Sequence, residues 1–417
     1  MGDRHTPTAR GEWAANWTLV LAASVGFSFF SVMLAGAGLF MAPIEHEFHW
    51  SRSAYALGPS VATLATALLA VPFGFLVDRW GCRRLVLAGT VLTMAAMAAF
   101  SRTGPSPTLW LVQWAVFGTV AVSIKSTAWT AAVVGVFERS RGLALGLTLA
   151  GTAVAAMVVP PLGNWLIESY GWRAAFLWLA LGWGGVTLLL SWLFFFDAHD
   201  RARLGQADKV DTSGLPGLTP RQALRDSALW RLAISNFVVM VLTMGLGLHM
   251  IQILVEAGVT RGHAAWLTSL GGLMGIVGKL VTGALLDRFA PNWVGGITLG
   301  AAAAAFVLLL NGIATPAAIV AAMLVNGYAS GSKTQITGHL TASYGGMKSF
   351  GAIYGVMSSL LAAASGLGPY LAAVAHDRAG SYGPFLVVGA IGCALSGLIM
   401  ISMPRYPAWD RRTGAAA

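Results

Sequence analysis

Long apolar runs alternate along the chain with short polar breaks. About 20 apolar residues, rising 1.5 Å each, cover the ~30 Å hydrocarbon core of a bilayer. Twelve runs approach or exceed that length, near 17–43, 54–77, 85–101, 108–137, 142–167, 174–196, 230–256, 264–286, 293–312, 316–341, 350–375 and 383–403. Lipid offers the backbone no hydrogen-bond partners, so each run is expected to be a helix. The expected fold class is an all-α membrane protein with twelve transmembrane helices.

Composition agrees. With 56% hydrophobic and 10% charged residues and a mean hydropathy of +0.70, the chain is far from the average of soluble domains. The net charge of +10 follows topology. With both termini in the cytoplasm, Arg52, Arg102, Arg173, Arg261 and Arg378 fall outside, and all other cations outside the spans fall inside, an asymmetry typical of inner-membrane proteins. Cations scattered over short loops do not make a nucleic-acid patch. The basic N-terminus and first apolar run read as a retained helix, because the run is too long for a leader and eleven more follow. Cys82 and Cys393, in a loop and in the last run, give no reason to expect a disulfide or a metal site, and no cofactor is expected.

The longest polar stretch divides the runs six and six. The expected domains are residues 1–196, a cytoplasmic linker 197–229 and residues 230–417. Within the linker, Thr219-Pro220-Arg221-Gln222 reads as a capped helix start. The halves repeat each other. Gly74-Phe-Leu-Val-Asp78-Arg79 recurs as Gly283-Ala-Leu-Leu-Asp287-Arg288, Lys125 as Lys333, Pro161 as Pro369 and Gly142 as Gly351, all displaced by 208 or 209 positions. Two six-helix halves in parallel repeat, pseudo-symmetric about the membrane normal, are expected.

The run Gly74-x-x-x-Asp78-Arg79-x-Gly81-x-Arg83-Arg84 resembles the loop 2–3 signature of the major facilitator superfamily. The likeness extends over essentially the whole chain. Within that superfamily the sequence looks most like the oxalate/formate antiporter and monocarboxylate transporter group. The carrying residues are Arg141-Gly142-Leu-Ala-x-Gly146, Gly171-Trp172-Arg173 and a cation, Lys279, eight residues before Asp287. Met357 stands where the oxalate carrier of that group has a lysine, and the cations of the fourth and tenth runs are a different arrangement, so the resemblance does not fix the substrate. It does imply rocking of two halves about a central site. Gly74, Asp78, Arg79, Gly283, Asp287 and Arg288 would serve that conformational switch rather than recognition.

Lys125, Lys279 and Lys333 lie well inside apolar runs, and no Asp or Glu stands mid-run to pair with them. A cation at bilayer centre costs from ~2.5 kcal/mol upward, so one that persists usually faces a cavity. Periodicity places the neighbours. Asn326, Ser330, Lys333 and Thr337 form one stripe, and Gly118, Ala121, Lys125 and Trp129 another. His249, Gln252 and Glu256 form a third, and Ser24, Ser28 and Ser31 a fourth. Lys125, Lys279, Lys333, Trp129, Asn326, Ser330, His249 and Ser28 are the expected substrate-binding set. The competing reading for the lysines is snorkelling to an interface. His249 and Trp129 could equally be packed core, and His339, Asn164 and Gln113 read as structural.

Clustered ammonium groups repel unless an anion neutralises them. The chain therefore reads as a secondary transporter of an organic anion, a mono-, di- or tricarboxylate that could carry an aromatic ring. Uptake by a monomer in the cytoplasmic membrane is expected, coupled to a proton or a counter-anion. An efflux carrier for amphiphiles and a transporter-like anion sensor are the alternatives. No phosphate-cradling loop, metal cluster or nucleophile motif points to an enzyme.

Overall fold

A computed structural model describes residues 9–134, 136–137, 140–196, 217–310, 312–346 and 348–404. The helices are α1 (Ala9–Phe48), α2 (Arg52–Trp80), α3 (Cys82–Ala99), α4 (Pro107–Ala121), α5 (Ser126–Val134), α6 (Arg141–Trp178) and α7 (Gly184–Phe194). They continue with α8 (Pro220–Ala223), α9 (Ser227–Glu256), α10 (Arg261–Arg288), α11 (Pro291–Leu308), α12 (Pro316–Gly345), α13 (Phe350–Ala379) and α14 (Gly383–Ile401).

Ten stretches of the described residues are long and apolar enough to span a bilayer. One of them, Leu143–Phe194, holds two expected spans, two helices that meet end to end at a kink at Gly171. That glycine sits at φ 80°, ψ 160°, a backbone state open to a residue without Cβ, and it marks where one span ends and the next begins. The helix α12 has the length of a span, and its polar stripe makes it less apolar than those ten.

Local chemistry explains several starts. Pro107 follows the N-cap Ser106, and Pro316 follows the N-cap Thr315, whose side chain accepts from the amide of Ala318. The expected start at Thr219 is present as a full capping box with Gln222, and Asp226 caps α9 by accepting from Leu229. One expectation fails. The fourth run is not a continuous helix: α4 ends at Ala121, a 3₁₀ turn covers Val122–Ile124, and α5 begins only at Ser126.

The chain divides into two compact units, Met1–Trp50 with Leu64–Ala207, and Ser51–Thr63 with Asp208–Ala417. The first turns of α2 thus pack with the second unit. In the first unit α1 lies on α6, and α3 on α4 and α7. Phe40, Phe100, Trp110 and Phe176, each fully buried, build an aromatic core there, with the Phe40 and Phe176 rings stacked at 3.8 Å. In the second unit α9 lies on α13, and α11 on α12 and α14, so the partner order of the first unit recurs. There α10 and α12 approach through glycines. A Cβ on Gly327 or Gly331 would overlap the backbone of Gly271 or Gly275 respectively.

Candidate functional site

Lys125 occupies the gap between the 3₁₀ turn and α5, with extended backbone (φ −72°, ψ 168°) and a half-buried side chain. Breaking a helix in lipid frees backbone groups that need new partners. Here the carbonyl of Ile124 takes one from Trp129, whose indole Nε1 donates to it at 2.7 Å. The Trp129 ring is fully buried, edge-on to Phe195 and against Gly26, where any side chain would collide with it. Discontinuous helices lining a cavity are a recurrent device of carriers. In this chain the interruption falls at a mid-span lysine.

The Trp129→Phe variant keeps a ring but strands the Ile124 carbonyl. A buried acceptor left without its donor costs about 1–3 kcal/mol. The variant is therefore expected to insert normally and melt at a lower temperature in detergent. An unchanged melting temperature would show that the break does not depend on this bond.

Lys333 lies on α12 with 6% of its surface exposed. Its ammonium donates to the Thr243 hydroxyl of α9 at 2.5 Å. One turn along, Thr337 contacts the Asn236 Oδ1 atom at 3.1 Å, a second tie between the two helices. Asn326 and Ser330, on the same stripe, are half-buried, and the Asn326 Oδ1 atom is enclosed without a hydrogen bond. Lys279, half-buried, is on α10, which packs against α12. Beside it, Thr282 of α10 bonds Ser332 at 2.7 Å and the Tyr328 hydroxyl at 3.0 Å, both on α12.

The remaining expected residues have defined neighbours. His249 is fully buried, with Nε2 at 3.0 Å from the Pro369 carbonyl and Nδ1 at 2.6 Å from the Tyr382 hydroxyl. A carbonyl only accepts, so Nε2 carries a proton and donates it, and with Nδ1 against the tyrosine hydroxyl both ring nitrogens are engaged. Ser28 donates to the Val25 carbonyl at 2.6 Å and accepts from the Trp183 indole at 2.8 Å. Gly74, Asp78, Arg79 and Asp287 lie within α2 and α10, and their side chains fall outside the described residues. Gly283 is half-buried beside the Gln335 side chain, and Arg288 is exposed.

Sequence reasoning missed two groups. Thr243 and Asn236 stand seven residues apart on one face of α9, a spacing readable as a polar stripe. The second group gathers at one end of the second unit. Glu256 accepts from Arg52 at 2.8 Å and lies 3.1 Å from His376, while Asp377 accepts from the Ser53 amide at 3.0 Å. The Arg52 guanidinium also covers the Tyr382 ring at 5.1 Å. Nothing local signals this cluster, because its members come from α2, α9 and α13. Among the described residues no group of His, Cys, Asp and Glu could hold a metal ion.

Long apolar helices carrying one buried and two half-buried lysines define a multi-pass membrane protein of the carrier type. The sequence model of the Major Facilitator Superfamily matches residues 21–331, and the chain belongs to that family of transporters. It is 25% identical over 401 residues to "Monocarboxylate transporter 13" of Bos taurus, covering 95% of this chain and 90% of that one. It is 28% identical over 426 residues to "Monocarboxylate transporter 11" of Homo sapiens, covering 96% and 86%. Among solved structures, a bacterial homologue of the human lysosomal transporter Spinster superposes with a TM-score of 0.65 at 16% identity, over 94% of this chain and 95% of that one. This likeness shows the fold. The membership excludes an enzyme and makes the protein a membrane transporter.

Proposed function

We propose that this transporter carries organic anions, with Lys125, Lys279 and Lys333 binding substrate carboxylate. The observation that carries the reading is Lys333, an ammonium buried near mid-span against a neutral hydroxyl. A buried cation is strongly destabilising unless paired, and a carboxylate forms the strong charge-assisted bonds that would pair it. Lys125 at its helix break supports the same chemistry in the first unit. The relatives named as monocarboxylate transporters support the substrate class.

The substrate is a mono-, di- or tricarboxylate, aromatic acids included. It is taken up by alternating access across the cytoplasmic membrane, by a monomer with both termini inside, together with a proton or against a counter-anion. Asn326 and Ser330, on the Lys333 stripe, and Trp129, beside Lys125, are assigned to substrate binding as well. His249 and Ser28, with their polar atoms engaged, hold the helices that present it. Asp78 and Asp287 set the balance between inward- and outward-open forms. Lost anion affinity in Asp78→Asn, with that balance unchanged, would refute their role. Uptake of labelled acids against a cationic dye, in cells expressing the chain, tests the main reading. Accumulation of an acid supports it, and dye export without acid transport would establish the amphiphile efflux alternative.

A further inference from the structure

We infer that Thr243 is a positioning residue for the anion site: it aims the Lys333 ammonium at mid-depth and leaves two of its N–H bonds for the substrate. The inference rests on the proposed role of Lys333 in anion binding.

Depth comes first. Thr243 lies near the midpoint of α9, so the ammonium it holds is as far from either end of that helix as the span allows. Helical side chains lean toward the N-terminus of their own helix. Lys333 follows that direction, away from Thr337 and toward the middle of α9, which runs antiparallel to α12: Asn236 meets Thr337, and Thr243 meets Lys333. A lysine left to itself in lipid would extend to an interface. The Thr243 bond holds this one inward.

Direction comes second. The Thr243 hydroxyl has one proton, and it donates that proton to the Val239 carbonyl at 2.7 Å. Its lone pairs are thereby turned to Lys333, and it serves only as an acceptor there. Among the described residues one of the three ammonium N–H bonds has a hydrogen-bond partner, and the geometry of the other two is set by it. The second tie fixes the helices that carry the pair. Asn236 donates from Nδ2 to the Leu232 carbonyl at 3.0 Å, which turns its Oδ1 to the Thr337 hydroxyl at 3.1 Å, whose single proton is shared with the Lys333 carbonyl at 2.8 Å. Both contacts bind α9 to α12 within two turns, so the threonine and the lysine are held in register.

The consequence separates affinity from turnover. Valine has the shape of threonine without the hydroxyl, so Thr243→Val frees the ammonium to adopt other rotamers while the packing stays. Serine restores the oxygen. The experiment uses the full chain in proteoliposomes with labelled lactate, succinate, citrate and benzoate, and measures KM, maximal rate and, in detergent, melting temperature. Thr243→Val is expected to raise KM for the carried anion about tenfold with the maximal rate within twofold of wild type, Thr243→Ser to restore KM to within about threefold, and Lys333→Gln to abolish transport. Unchanged KM in Thr243→Val alongside a dead Lys333→Gln would overturn the inference and leave the anion reading standing. Equal losses in Thr243→Val and Thr243→Ser, matched by falls in melting temperature, would also overturn it, as a purely structural role. Full transport by Lys333→Gln, or no transport of any of the four acids by wild type, would overturn both.

Discussion

Lys333→Gln is expected to remove at least nine-tenths of anion transport while leaving membrane insertion and abundance intact. Glutamine keeps most of the side-chain length and can still donate to Thr243, so the packing of α9 against α12 survives. What disappears is the charge. A hydrogen bond to a charged group contributes about 1.5–3 kcal/mol, which corresponds to roughly 10- to 150-fold in affinity. Lys125→Gln should act in the same direction. That lysine is more exposed, so its charge is better screened by solvent and a smaller loss is expected. Concentration-dependent uptake by each variant, normalised to protein in the membrane, checks both. Wild-type transport by both variants would remove the lysines from the binding role.

The largest structural effect is expected at Gly331. A Cβ there would overlap the backbone of Gly275, and one at Gly327 would overlap that of Gly271, so α10 and α12 touch along two glycine pairs. Neither backbone can step aside as a flexible side chain would. Gly331→Leu must drive the helices apart, breaking the Thr282–Ser332 bond between them as well. Overpacking a close contact costs typically 1–3 kcal/mol and occasionally more. The variant should accumulate poorly or melt well below wild type. Gly355, on α13, has nothing within 4 Å of an added Cβ. There Gly→Ala should be neutral or stabilise by roughly 0.5–1 kcal/mol, since alanine loses less backbone entropy in a helix. Melting curves in detergent for the two variants decide it: equal behaviour would mean that the glycine contact does not hold α10 to α12.

The apolar runs made the spans legible because bilayer thickness sets their length directly, and no tertiary knowledge is needed to count residues. The cap at Thr219 was equally local: a threonine, a proline and a glutamine at fixed offsets. The break at Lys125 was not legible. Ser126 and Thr127 follow it, neither Gly nor Pro marks it, and the bond that satisfies it comes from Trp129, which periodicity placed on a continuous helix. Gly171 was read as opening a span, but not as the single residue on which two spans join.

The site shows the same division. Lys333 stood out because a cation in an apolar run is costly wherever it points. Its partner did not, since threonine is common in membrane helices and only the fold brings Thr243 to it. The cluster of Arg52, Glu256, His376 and Asp377 joins residues about 120 to 320 positions apart. Separations of that size leave no trace in local pattern.

The central claim is that this member of the Major Facilitator Superfamily binds carboxylates through the lysines of its membrane helices. The most direct measurement is the melting temperature of the purified wild-type chain, and of a Lys125→Gln/Lys333→Gln double variant, across a panel of mono-, di- and tricarboxylates. A ligand that binds only the folded state stabilises it by about 2.7 kcal/mol at a hundred times its Kd, enough to read as a shift. The account predicts that at least one acid raises the melting temperature of wild type and leaves the double variant unmoved. No shift with any acid, or the same shift in both proteins, would contradict it.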